Sequence, residues 1–200
     1  MEPLEVLAFR GPRTREIAKG LGWKTSDVFC DPGLLLSMMY DAQPRRHEVG
    51  FVPHYWHAAG IEAGKGLEGV KIIDVSQSVE SVATELSACK AVISTSLHGI
   101  VTAHAYGIPW VWAKMDPVLV GDEFKFYDFL EGMRISASPI HIYPQEIKEG
   151  CLNDLVKHAR LPDGENVTDK QRALLSALLS SAVLTIPPLL NKRWIEATRS

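Results

Sequence analysis

The sequence predicts an α/β protein: a parallel sheet flanked by helices on both faces. Three observations carry this. Strand-like and helix-like segments alternate along the chain. The strand-like segments are continuous apolar runs, which marks strands buried on both faces. The 200 residues, 46% hydrophobic and 22% charged, have globular composition and enough length for a real core. Open sheets of this kind take ligands beyond the carboxyl ends of their strands. The residues just after each strand are therefore the first places to look for function.

Taken in order, residues 4–9 read as a strand that begins almost at the first residue. Residues 14–19 read as a helix, with Pro12 near its start, where a missing N–H costs nothing, and Gly20 and Gly22 at its end. Residues 27–30 form a short strand. Asp31-Pro32-Gly33 is a turn in which Asp31 caps the next segment, an apolar helical stretch over residues 34–40. A polar loop with Arg45 and Arg46 leads to a strand over 48–52, followed by Pro53-His54-Tyr55-Trp56-His57. Residues 58–69 are a glycine-rich connection. A strand over 70–75 and an amphipathic helix over 78–88 come next, the helix with Val79, Val82, Ala83 and Leu86 on one face. Residues 110–113 are a further strand, 124–133 a helix, 139–143 a last short strand, and 144–158 a helical stretch. Residues 161–167 read as a polar loop and 168–183 as a helix with a leucine stripe, which is packing rather than a ligand site. The tail from 194 frays.

The chain is organised around the stretch AVISTSLHGIVT, residues 91–102. Ala91-Val92-Ile93 is a buried strand. Ser94-Thr95-Ser96 is a polar turn with helix N-cap chemistry, and Leu97 opens an apolar helix that stops at Gly107-Ile108-Pro109. His98 then falls in the first turn of that helix, among unpaired N–H donors at the positive end of the dipole, where anions bind. Arg10, His54, residues 94–98 and the loop after Ala113 all fall at strand ends. His104, six residues after His98, points to a different face and is structural. His47, His57, His141 and His158 show no partner pattern and read as surface or packing.

Net charge is −3, so nucleic acid is not an expected partner, and any anion must be met by a local cluster. Cys30, Cys89 and Cys151 are scattered and show no metal-ligand spacing. They read as reduced thiols of a cytoplasmic protein, with Cys89 in the core and no metal. Met1-Glu2-Pro3 lacks the basic start of a secretory leader, and the apolar run 182–190 is too short to span a bilayer. No GxGxxG follows a strand, which disfavours a dinucleotide-binding dehydrogenase.

Five blocks then stand in order: Arg10-Gly11-Pro12-x-Thr14-Arg15-Glu16, Asp31-Pro32-Gly33-Leu34-Leu35-Leu36, Gly50-Phe51-Val52-Pro53-His54-Tyr55, Val92-Ile93-Ser94-Thr95-Ser96-Leu97-His98-Gly99 and Ala105-Tyr106-Gly107-Ile108-Pro109. Together with Phe124-Lys125-Phe126-Tyr127-Asp128, they resemble the polysaccharide pyruvyl transferase family in order and spacing. The resemblance implies a Rossmann-like domain akin to the C-terminal domain of a GT-B glycosyltransferase fold. Residues 1–200 would form that single domain, with a core over about 4–160 and a helical extension over about 161–200. The blocks are those of the family's C-terminal half, so its N-terminal partner domain is expected to be absent from this chain.

The resemblance also implies the reaction. The enolpyruvyl group of phosphoenolpyruvate is moved to a pair of sugar hydroxyls, making a ketal in an exopolysaccharide or cell-wall glycan. Phosphoenolpyruvate is a co-substrate, and no cofactor is expected. The acceptor is a glycan or lipid-linked oligosaccharide, which places the work in the cytoplasm at the inner face of the membrane. An unpaired domain face could drive homo-oligomerisation. His98 is the expected general acid, since a histidine titrates near neutrality. Arg10 is the expected oxyanion clamp, because its planar fork binds carboxylate or phosphate bidentately; Arg13 and Arg15 read as solvated charges. Ser94, Thr95, Ser96 and Gly99 are expected to hold phosphate, and His54 and Lys125 to face the substrates. Tyr55 and Trp56 could offer a sugar-stacking face, although tryptophan is more often part of the packing. Two other readings stay open: a nucleotide-sugar glycosyltransferase or epimerase half-domain, and a non-catalytic remnant that binds a glycan or a protein.

Overall fold

A computed structural model describes residues 6–58, 61, 69–116, 122–143, 147 and 152–181. Its centre is a five-stranded sheet of β1 (His47–Val52), β2 (Val70–Ile72), β3 (Cys89–Ser94), β4 (Trp110–Lys114) and β5 (Ile140–His141). The strand order is β2-β1-β3-β4-β5 and every pairing is parallel. Phe51 stands against Ile93, and Ile93 against Val111. The chain runs from β1 out to one edge and returns to continue on the other side. Strand order therefore reverses between β1 and β3, the place where such sheets open a crevice at their carboxyl ends.

Before β1 lie α1 (Pro12–Gly20) and a 3-10 turn (Pro32–Leu35) leading into α2 (Leu36–Met39); between strands lie α3 (Tyr55–Ala58), α4 (Val79–Ser87), α5 (Leu97–Ala105) and α6 (Asp122–Gly132); after β5 come α7 (Leu152–Leu155) and α8 (Gly164–Ser180). Successive strand residues feed two cores, as the pleat requires. Val92, Trp110 and Trp112 pack with Leu86, Ile100, Phe129 and Leu175 of the helices on one face. Phe51, Ile93, Val111 and Ala113 pack with Ile142 and Leu152 on the other. Each large side chain buried this way contributes about 1.5–3 kcal/mol. The result is the expected Rossmann-like arrangement.

Several expectations need correction. The first strand, insofar as it is described, is only an isolated parallel bridge between Phe9 and Phe29 outside the five-stranded sheet, and residues 4 and 5 lie outside the described residues. β2 ends at Ile72 instead of Val75. The last helix begins at Gly164, inside the expected polar loop, because the Asp163 carboxylate accepts from the N–H groups of Glu165 and Asn166 and caps it there. Most of the glycine-rich connection, residues 144–146 and 148–151 with Cys151, and residues 182–200 lie outside the described residues.

Candidate active site

The stretch 91–102 folds as expected, and its chemistry is tightly specified. β3 ends at Ser94, α5 starts at Leu97, and Gly107, at φ +63°, takes the left-handed turn that ends the helix region. Ser96 occupies the N-cap position but makes no side-chain cap bond, contrary to the expected serine capping. The hydroxyl below it does the local work. Ser94 Oγ accepts from Ser96 N–H at 3.0 Å and lies 2.9 Å from the Val52 carbonyl and 2.8 Å from the Ser96 carbonyl, to one of which it donates. The first-turn N–H groups of α5 are thus left without a side-chain acceptor, and they carry the helix's positive pole.

Gly99 has a steric reason to be glycine. A Cβ there would stand 2.3 Å from Ser94 Oγ and 2.9 Å from a Val52 methyl. The helix can start so close to the strand only without a side chain at this position. From Ala91 to Ala105 every residue is buried except His98, which is exposed. The helix is apolar nearly all round, as befits one enclosed by the fold.

Thr95 ties this turn to the end of β1. Its N–H donates to the Val52 carbonyl at 3.1 Å, and its hydroxyl accepts from His54 N–H at 2.8 Å. The same oxygen lies 3.2 Å from Nδ1 of His57, which is buried. Sequence alone did not single out His57 for this role. It is packed, as expected, but packed against the turn that carries His98.

A cavity of about 670 Å³ opens at this switch point. Ser96, His98 and Gly99 line it from the N-cap and first turn of α5, His54 and Tyr55 from where β1 passes into α3, and Lys125 from α6. Pro32, Leu36, Val75, Val79 and Val82 supply apolar walls, the last two from α4. Among the described residues, no carboxylate lines the cavity; Lys125 brings a cation, and His98 and His54 bring imidazoles. The described wall of this cavity thus carries positive charge, although the whole chain is net negative. Ser94 and Thr95 are buried beneath it. Of the two readings offered for Trp56, a sugar-stacking face or packing, its 65% exposure excludes packing.

Arg10 is not among the described residues that line the cavity. It follows the Phe9–Phe29 bridge, and its Nε lies 3.6 Å from Oδ2 of Asp128, a wholly buried carboxylate of α6. Asp128 also accepts from the backbone N–H of Thr14 at 3.1 Å and from its hydroxyl at 2.6 Å. Asp128 was not predicted as a structural centre. Its signal was available: an acid set inside the aromatic run Phe126-Tyr127-Asp128-Phe129 has to be buried with a partner. Arg13 pairs with Glu131 and Arg15 with Asp27, both at the surface as expected. His104 accepts a hydrogen bond from the Trp110 indole at 3.0 Å and is structural, as expected.

Fold and site together define a Rossmann-like α/β domain with an uncapped helix start and an exposed histidine at the switch point of its sheet. Within that class the chain belongs to the polysaccharide pyruvyl transferase family, whose sequence model matches residues 1–116. It is also 32% identical over 160 residues to an uncharacterized protein of Acanthamoeba polyphaga mimivirus, an alignment that covers 75% of this chain and 56% of that protein. The chain thus spans little more than half the length of the relative it matches. No solved structure matches it. Among the described residues, no helix is long and apolar enough to cross a membrane, and no cluster of metal-ligating side chains occurs.

Proposed function

We propose that the cavity at the switch point is the donor site of a ketal pyruvyl transferase, which moves the enolpyruvyl unit of phosphoenolpyruvate to two hydroxyls of a glycan acceptor. The observation that carries the reading is the cavity itself. It holds His98 and Lys125 beside uncapped N–H groups and, among its described lining residues, no carboxylate. Family membership points the same way.

In this reading the N–H groups at the start of α5 and the ammonium of Lys125 hold the phosphate and carboxylate of the donor. Ser96 adds a hydroxyl, and Ser94 and Thr95 keep the turn in shape from beneath. His98 delivers a proton to C3 of the enol, which makes C2 an oxocarbenium-like centre. One sugar hydroxyl adds to C2 and returns its proton to the imidazole. The C2–O bond to phosphate breaks, and the second hydroxyl closes the ketal, its proton leaving with the phosphate. One inorganic phosphate is released per ketal formed. Arg10 is given no part in these steps; beside Asp128 it belongs to the packing of α1 on α6.

The test is phosphate release from phosphoenolpyruvate with a panel of glycosides, for this chain and for His98→Ala. Loss of a positioned general acid is expected to lower turnover about 10²–10⁴-fold while leaving thermal stability unchanged, since His98 is exposed. Equal turnover in the two proteins removes His98 from the chemistry. Binding of UDP with no response to phosphoenolpyruvate favours the nucleotide-sugar reading.

A further inference from the structure

We propose that Tyr55 and Trp56 form the acceptor platform. A hexopyranose ring lies on them by its C–H face, with the hydroxyl pair to be ketalised turned toward His98. The inference rests on the pyruvyl-transfer reading and adds to it where, and by what surface, the sugar is held.

Two adjacent aromatic side chains on one short helix are 60% and 65% exposed. Large aromatic rings bring most to a protein when buried, so a paired exposure beside a cavity marks a recognition surface. The rings form a continuous run. Those of His54 and Tyr55 are 4.5 Å apart, and those of Tyr55 and Trp56 are 5.5 Å apart at 40°. Tyr55 and His54 line the cavity that holds His98, so the run leads from solvent to the reacting groups.

The backbone beneath the platform is held by hydrogen bonds. The α3 turn is closed by His57 N–H and Ala58 N–H donating to the His54 carbonyl at 2.7 and 3.1 Å. It is anchored beneath by the buried His57 ring and by the Thr95 hydroxyl that accepts from His54 N–H. Such a surface loses little conformational freedom when a ligand settles on it.

A pyranose matches this chemistry. Its faces are C–H groups that pack on an aromatic ring, and its edge is hydroxyls that reach the imidazole of His54 and the amide of Gln77 on the cavity wall. Phenol and indole rings suit a ligand that is apolar on one side and wet on the other. With Lys125 and the α5 N-terminus engaged by the donor's anionic groups, the aromatic side remains for the uncharged substrate.

The experiment uses the intact chain with methyl β-galactoside and methyl β-glucoside as probes. It measures saturation transfer from protein aromatic protons to the pyranose C–H protons, and glycoside KM from phosphate release. Trp56→Ala is expected to raise the glycoside KM roughly 5- to 10-fold and to weaken saturation transfer severalfold, and the Tyr55→Ala/Trp56→Ala double variant to abolish it. Trp56→Phe should stay within about twofold, because the stacking face remains. Trp23→Ala, a control beyond α1 that is 37% exposed, should shift neither readout. The proposal is overturned if Trp56→Ala turns over with the wild-type glycoside KM, or if UDP, not the glycosides, takes the saturation transfer. If the wild-type chain releases no phosphate with either glycoside, the pyruvyl-transfer reading fails. Saturation transfer to the glycoside, and its loss in the Tyr55→Ala/Trp56→Ala double variant, then still decides for or against the platform.

Discussion

At the scale of single residues, His104 shows how burial sets a charge state. Its ring is 1% exposed and accepts the Trp110 indole N–H on Nδ1. Loss of solvation lowers its pKa from 6.5 to about 4. The unfolded chain therefore binds a proton that the folded chain refuses between pH 6.5 and 4. Stability is undiminished above pH 6.5 and falls as the pH drops through that window, by at most roughly 3 kcal/mol. Urea denaturation from pH 7.5 to 4.5 should show this slope, and His104→Gln, which keeps an acceptor for the indole, should flatten it. The two described thiols give a second residue-scale prediction. Burial pushes Cys30 up to about 12 and Cys89 up to about 11. Iodoacetamide at pH 8 should leave both unmodified in the folded chain and alkylate both in denaturant, as read by peptide mass mapping.

At the scale of elements, the notable case is α1. Its N-cap, Gly11, has no side chain to cap with, and Asp128 of α6 supplies the missing acceptor to Thr14 across 114 residues of chain. The approach is close: a Cβ on Gly11 would stand 1.7 Å from the Asp128 carbonyl oxygen. Asp128→Ala removes a buried charged acceptor and leaves the Thr14 N–H and the Arg10 Nε without it. The expected loss is about 2–3 kcal/mol, measured by chemical denaturation. This arrangement also shows what sequence reading can and cannot reach. Segments whose pattern is local were legible: β1, β3, β4, α4 and the start of α5 come from apolar runs, periodicity and turn residues. The role of Asp128, the link from Thr95 to His57, and the N-terminus of α8 were not. The first two depend on pairings between residues far apart in sequence, and the third on an aspartate cap inside a stretch that otherwise reads as loop. Lys125 was legible as a cavity residue because it stands in a block that resembles the family, and His98 and His54 because each follows a strand end. Arg10 was expected there on the same ground, but the strand it follows is not part of the sheet.

At the scale of the whole molecule, the order β2-β1-β3-β4-β5 places every cavity-lining loop at one end of the sheet and leaves the two cores continuous behind it. The cores contain Phe51, Ile93, Trp110, Phe129 and Leu175, each 1% exposed or less. Stability is generated there, and the cavity sits on the rim. The stretch from Ala91 to Ala105 compresses that division into fifteen positions, of which only His98 meets solvent. A chain built this way can exchange its one exposed side chain in this stretch with little change in folding free energy. Position 98 is then open to divergence: lineages, or a saturation library, can vary the side chain there on a nearly unchanged scaffold, and the variants differ in what they present to the cavity.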